Sequence, residues 1–331
     1  MFGNRVGWGI SALIVLAAVL LLWRVYRIGT DFTPPGPIGQ RAALWTMQLP
    51  VDPRSIATWM TEDVDAIDLY KQVIAEYMAN LAYDGYLRQA SADPAVIQQI
   101  NKGIDLMIRA STARRPGVFI DRPSEIITYD SDRRPLKALK AMGDVGIRLG
   151  LILNNKDRPV YDATRARQVF QAVFSLGLKL YEERLVWEEA DYGLKLMATS
   201  RYLDDPASPG RADLLQKFDD QRKPFYFKYI DPLLRHIFIA NPDAKRFPQF
   251  RSWGGDMAAL ATKCPEYMWR VEAIFALGRC KFQGNTMGDQ KGAVRLLKSL
   301  CEDSDPRIRI AAQAADRLTR EDLQRLTYSS D

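Results

Sequence analysis

Five carboxylates fall within ten positions of this chain: Glu182, Glu183, Glu188, Glu189 and Asp191. On one helix Glu182 and Glu189 would stand two turns apart, about 10 Å, with Glu188 and Asp191 one turn apart. Carboxyl pairs about 5 to 9.5 Å apart are what glycoside hydrolysis requires, so hydrolysis through Glu182 to Asp191 is one expectation. The competing one is a solvated face, with Arg184 and Lys195 as partners at helical spacing. The solvated face is preferred, because the two acids of a catalytic pair normally come from different elements around a cleft. Glu-x-x-His pairs, which helical di-metal carboxylate sites use, are absent.

His236 is the single histidine. It stands in the apolar run Leu233 to Ile239, which suits a core or half-buried side chain better than a general base, and no triad spacing accompanies it. Cys264, Cys280 and Cys301 show no Cys-x-x-Cys spacing, and Cys280 and Cys301 fall on helix faces expected to be buried, where a thiol packs as a small hydrophobe. Imidazole-rich zinc and iron sites are thereby excluded within one chain. The stretch Lys223 to Tyr229 interleaves bases with aromatics, as single-strand nucleic-acid platforms and membrane-contact surfaces do. Its aromatics cannot all share one helix face, so core packing is the expected use. Residues 241 to 255, with Arg246, Phe247, Phe250, Arg251 and Trp253, have the composition of an exposed binding loop. No phosphate-binding glycine motif occurs. No catalytic, cofactor-binding or metal-binding residue is assigned, and no cofactor is expected.

The elements that must position these residues follow from composition and period. The chain has 331 residues, 46 Lys and Arg against 40 Asp and Glu, 47% apolar and 26% charged residues. Those values belong to a globular protein and exclude disorder, collagen and a disulfide scaffold. Between Arg5 and Arg24 lie 18 uncharged residues, 15 of them apolar, flanked by Trp8 and Trp23. A helix of that length reaches about 27 Å, enough to cross the hydrocarbon layer. The run ends in Leu20, Leu21, Leu22 and Trp23, which do not suit signal-peptide cleavage. The expectation is a single N-terminal transmembrane helix, an anchor with flanks at 1–28, meeting the lipid bilayer through residues 6–23. Arg24 and Arg27 outweigh Arg5, which turns the remainder of a single-pass membrane protein towards the cytoplasmic side.

Residues 29–60 hold Pro34, Pro35, Pro37, Pro50 and Pro53 among several glycines and read as a tether, part of which packs on the domain. From Thr61 a helical pattern begins, with Thr61 as cap and Glu62, Asp63 and Asp65 in the first turn. Asp93-Pro94 opens the next helix, striped by Ile97, Ile100, Ile104 and Met107. Residues 111–131 read as irregular. Helices are predicted over 135–153, 161–183 and 185–203, and over 210–239 with a kink near Pro224 and Pro232. The fold class is mainly α, with an α-helical domain at 61–250 and helical pairs at 251–331.

The C-terminal part contains two copies of one pattern 39 residues apart, Cys264 to Ala273 and Asp303 to Ala312. In each an apolar residue and an arginine precede an alanine-bearing helix, and the amphipathic stretch Gly292 to Leu300 leads into the second copy. On Asp303, Ile308 and Arg309, residues 252–318 resemble a HEAT-type α-helical repeat. The resemblance implies stacked helix pairs, a structural hydrogen bond of Asp303 with Arg309 along the stack, and by association a binding role. The first copy departs from it, with Cys264 where the aspartate belongs.

Together these readings lead to a membrane-anchored, non-catalytic protein-binding or scaffolding module on stacked helices, with a membrane-tethered helical hydrolase as the alternative. Another protein is the expected partner. Nucleic acid is not, since 43 bases face 40 acids in residues 31–331 and the net charge concentrates near the N-terminus.

Overall fold

Helix starts in this chain are set by aspartate caps and prolines. The computed structural model describes residues 16–19, 32, 34–46, 52–128, 133–204, 220, 253–283 and 287–322. Expectations for Lys223 to Tyr229, for His236 and for the loop 241–252 lie outside those residues, as does the 210–239 helix apart from residue 220. Three short helices come from the proline-rich regions: α1 (Pro37–Ala42), α2 (Pro53–Ile56) and, further on, α6 (Ser124–Ile127). Six longer ones follow the first two in the N-terminal part: α3 (Ile67–Ala79), α4 (Ala82–Arg88), α5 (Pro94–Ala110), α7 (Arg134–Leu153), α8 (Ala163–Glu183) and α9 (Trp187–Asp204). The C-terminal part is α10 (Trp253–Lys263), α11 (Tyr267–Gln283), α12 (Met287–Leu300) and α13 (Pro306–Arg317).

In α5 the Asp93 carboxylate accepts the Ala95 N–H at 2.9 Å, and Pro94 takes the first helical position, where no hydrogen is needed. Ile97, Ile100, Ile104 and Met107 are buried along its inner face. Asp162 opens α8 and Asp305 opens α13 by the same device, each at 2.9 Å. The helix expected from Thr61 starts six residues later, at Ile67. Glu62 to Val64 are instead paired with Thr112 to Arg115: the Glu62 N–H donates to the Thr112 carbonyl at 3.0 Å and the Arg114 N–H to that of Glu62 at 2.7 Å. A distant partner for the backbone outcompetes the local cap. This single bridge apart, no extended pairing occurs among the described residues.

Close approach of backbones organises the larger helices. A Cβ on Gly193 of α9 would lie 2.5 Å from the Gly177 carbonyl oxygen and 2.6 Å from the Tyr181 nitrogen, both backbone atoms of α8. The two helices therefore pack at a separation only glycine permits. Across them lies α7, whose Gly143, Gly146 and Gly150 receive Leu196, Val173 and Phe170 in turn. Helices α3, α4 and α5 complete this N-terminal group against α7 and α8.

The C-terminal helices stack in pairs, α10 with α11 and α12 with α13, and α11 touches both members of the second pair. Ala311, Ala312 and Ala315 are buried in that stack, with Gly278 of α11 beneath the Ala315 carbonyl. Between the two groups the main helix contact is α6 on α13, while α1 lies on α10. Buried apolar side chains run without a break from Ala57 to Leu318 through both groups.

The expected transmembrane helix is not supported. Among the described residues no helix is long and apolar enough to cross a membrane. The two longest carry charges along their length, Lys137, Lys140, Asp144 and Arg148 in α7 and Arg165, Arg167, Lys179 and Glu182 in α8, which a bilayer core would not take without partners. Of the segment 6–23 only residues 16–19 are described, as helix with Leu16 and Val19 exposed; the rest lies outside the described residues. The single-pass membrane location is not supported either.

Replacing Gly193 by alanine should cost about 3 kcal/mol in urea unfolding, because the obstructing atoms are backbone and cannot rotate aside. Gly85→Ala, at an exposed position of α4 with nothing within 4 Å of the added carbon, should instead stabilise by about 0.5 to 1 kcal/mol. A neutral Gly193→Ala would contradict the packing described.

Candidate functional site

The five carboxylates do not share a helix. After Glu183 the backbone turns left-handed at Arg184 (φ 32°, ψ 54°), which ends α8, and the chain reverses into α9 at Trp187. Glu182 and Glu183 thus belong to the last turn of α8, and Glu188, Glu189 and Asp191 to the first turns of α9. The expected seven-residue helical spacing between Glu182 and Glu189 is cut by that corner.

A polar row leads into the corner along α8. Ser175, Lys179, Glu182 and Glu183 are spaced by four, three and one residues, so they occupy one helix face. Two irregular segments lie over that face and are held by it. The Trp59 indole N–H donates to Ser175 Oγ at 2.8 Å, and Ser175 Oγ donates to the Ser111 carbonyl at 3.1 Å. Lys179 Nζ donates to the Arg115 carbonyl at 2.5 Å. Arg54 grips Glu182 with two parallel bonds, Nε to Oε1 and Nη2 to Oε2, the latter at 2.7 Å. Glu183 accepts the Val118 N–H at 2.6 Å and the Phe119 N–H at 2.9 Å. Backbone groups that have no ladder or helix of their own find partners on α8.

On the other side of the corner Glu189, the third helical residue of α9, reaches back over the start of the helix as the glutamate half of a capping box does. Its Oε2 accepts the Leu185 N–H at 2.6 Å and the Val186 amide also reaches it. Glu188 pairs with Arg133, the left-handed residue that starts α7. Asp191 accepts from Lys195 Nζ at 2.7 Å, one turn on. Arg184 reaches out of the corner, its Nε 2.8 Å from Glu266 Oε2 and its guanidinium over the Tyr181 ring. Glu266, just before α11, also accepts from Thr46 Oγ1 at 3.0 Å. Trp45, beside Thr46, meets the buried Trp269 ring edge to face with centroids 5.9 Å apart.

A solvated face does not describe these acids. Glu183 is 5% exposed, Glu189 fully buried and Asp191 5% exposed, while Glu182 and Glu188 are half-buried. Burial pushes the Glu183 carboxyl up, against the lowering effect of the Phe119 and Val118 amides. Burial, then the charge of Glu183, holds Glu189 well above the usual carboxylate range. Glu272 of α11 faces Glu188 and Arg133; burial and the Glu188 charge push it up to about 7, Arg133 opposing. Burial brings Lys179 down to about 8, with Glu182 opposing and Arg54 assisting. Such an arrangement binds backbone through its carboxylates.

Arg184 and Lys195 had been expected as partners of the acids, and Lys195 is one. Arg54, Lys179, Glu266, Glu272 and the amides of 118 and 119 were not anticipated. Two signals pointed to part of this: the polar spacing of Ser175, Lys179 and Glu182 in the otherwise apolar C-terminal half of α8, and a glutamate at the third position of α9. Cys264 and Cys280 are buried and Cys301 half-buried; burial pushes the Cys264 thiol up to about 11 and that of Cys280 higher. Of the loop 241–255 only Trp253, Gly254 and Gly255 are described, as the first turn of α10. Among the described residues no group of histidine, cysteine, aspartate and glutamate could hold a metal ion.

Comparison of the chain with protein-family models, with curated proteins and with solved structures finds no match. The architecture is an all-helical stacked array, compatible with helical repeats.

Glu183→Ala should destabilise the protein by about 2 to 5 kcal/mol in urea unfolding, since two buried amides lose their acceptor. Glu302→Ala, on an exposed residue, should stay within about 0.5 kcal/mol. Lys179 gives a pH signature. Its pKa is depressed on folding, so the unfolded state holds the extra proton between about 8 and the ordinary lysine value, and stability must rise with pH across that window. Lys179→Met should lack that rise when its unfolding free energy is compared with wild type from pH 7 to 10.

Proposed function

We propose that this chain is a non-catalytic protein-binding or scaffolding module built on stacked helices. The observation that carries the reading is the occupation of the acidic set: Glu182, Glu183, Glu189 and Asp191 are engaged by Arg54, by backbone amides and by Lys195. The residues with the best claim to chemistry spend their polar capacity on holding the chain together. A fold invested in this way offers surfaces rather than a reaction centre.

A HEAT-type reading of α10 to α13 agrees with two antiparallel pairs in sequence-order contact. Its Asp–Arg feature takes a local form here. Asp303 Oδ1 accepts the Asp305 N–H at 2.8 Å and Arg309 Nη1 donates to the Asp303 carbonyl at 2.7 Å, both inside one turn. One bond between the pairs is made by Tyr267 at the start of α11, whose hydroxyl donates to Asp305 Oδ2 at 2.5 Å, under an Arg307 guanidinium 3.6 Å from the ring centroid.

On the outer pair, Lys291 and Lys298 of α12 are exposed and seven residues apart, so they lie two turns apart on one helix face. That basic pair suits an acidic face on a partner protein, with charge guiding approach and register. The test is capture of partners by the full chain against a Lys291→Glu, Lys298→Glu variant of unchanged helicity. Two exposed ion pairs at about 0.5 kcal/mol each correspond to roughly fivefold weaker binding. Partners retained at full strength would remove α12 as the surface, and hydrolysis abolished by Glu182→Gln or Glu188→Gln would replace the scaffold with an enzyme.

A further inference from the structure

Residues 34–46, with Phe32 ahead of them, lie across the C-terminal helices as a strap. The Phe32 ring rests against Gly292 of α12, where an added Cβ would stand 3.0 Å from three of its carbons. The Gly36 N–H donates to Asp256 Oδ1 of α10 at 2.8 Å, and Gly39 in α1 comes so near the same carboxylate that a side chain there would meet it. Trp45 sets its ring edge to face on Trp269 of α11, and its carbonyl accepts the Cys264 S–H at 3.8 Å. Thr46 ends the strap on Glu266. Among the described residues α10 is the helix against which α1 mainly packs.

Two properties separate this strap from the core it covers. Little of it is buried: Gly39 and Ala43 are, and Phe32 and Trp45 half so, while Pro34, Pro37, Gln40, Arg41, Leu44 and Thr46 are exposed, Leu44 at 74%. A helix as short as α1 has no stability of its own in water, so its seat orders it. The four C-terminal helices, by contrast, hold one another through Leu277, Leu297, Ile308 and Ala311. The seat, in turn, reads backbone and rings. Asp256 takes an amide, Cys264 gives to a carbonyl, and Gly292 and Trp269 receive aromatic rings, so another sequence with glycine and aromatics in the same register makes the same contacts. The glycine-on-aspartate contact recurs between α10 and α12, where Gly254 rests on Asp289. A short helix presenting glycine is what such a surface is shaped to take.

We propose that the groove across α10, α11 and α12 is a partner-binding surface that residues 32–46 hold as a built-in competitor. In their place it takes a segment of a partner protein with two aromatic side chains thirteen residues apart, as Phe32 and Trp45 are, on either side of a short glycine-bearing helix. This rests on the reading of the chain as a protein-binding module. A tethered occupant acts at an effective concentration of about millimolar, so a partner segment must outcompete it. The apparent affinity is then reduced by the fraction of chains whose strap is released.

A fluorescein-labelled peptide of residues 32–46, titrated with the full chain and read by anisotropy, tests this. The Phe32→Ala, Trp45→Ala chain, which weakens the strap and leaves every groove residue in place, should bind the peptide about tenfold or more tightly than wild type. Gly39→Asp, which sets a second carboxylate against Asp256, is a milder change to the strap should the double variant lose helicity, and it should show the same gain. Gly292→Leu, added to either variant, fills the seat of the Phe32 ring and should return the affinity to the wild-type level or below. A gain below about threefold in both strap variants, or a gain that survives Gly292→Leu, would overturn the proposal. So would a gain confined to a dimeric fraction in size exclusion, which would assign the groove to a second copy of this chain. Capture through Lys291 and Lys298 does not involve the strap, so the groove and the module reading fail separately.

Discussion

The contact on which the rest depends is that of Gly177 with Gly193, backbone against backbone. Because no side chain separates α8 from α9, the connection between them has to be short and sharply turned, and Arg184 takes the left-handed conformation that allows it. A turn so tight brings the end of one helix and the start of the next side by side, with Glu183 and Glu189 facing each other inside. The buried acid pair is therefore a consequence of two glycines sixteen residues apart in sequence. In water two such carboxylates would separate; here the helices do not let them.

What makes the arrangement tolerable is the use to which the acids are put. The segments 52–60 and 111–119 form no regular ladder of any length, and a buried irregular backbone is costly unless its amides and carbonyls are matched. The polar face of α8 supplies the partners one by one, hydroxyl to carbonyl, ammonium to carbonyl, carboxylate to amide. Each charged group on that face is tied to at least one backbone or guanidinium group, so burial shifts their protonation without leaving them uncompensated. The same logic holds at α11 and α13, where Tyr267, Asp305 and Arg307 close on one another between pairs.

Legibility from sequence followed the range of the interaction. The Asp93-Pro94 start of α5, the stripe of Ile97, Ile100, Ile104 and Met107, and the boundaries of α7, α8 and α9 depend on neighbours within a turn or two, and they could be read to within a few residues. The start of α3 could not, since Glu62 to Val64 answer to Thr112 to Arg115. The acidic stretch was visible as a cluster, yet its partners Arg54, Val118 and Phe119 lie more than sixty residues away, and nothing local announced them. The apolar N-terminal run was read as a membrane span from its own composition, and no described helix carries that reading.

The sequence by itself determined a mainly α chain: where most of its helices begin, which faces are apolar, and that the C-terminal stretch is helical. Tertiary structure alone decided what the five carboxylates do. Their spacing is compatible with catalysis, with a solvated face and with burial, and the chemistry of a carboxyl is set by the dielectric and the donors around it rather than by its place in the chain. Only the close packing of α8 on α9, and the strands of irregular backbone laid over them, supplied that environment.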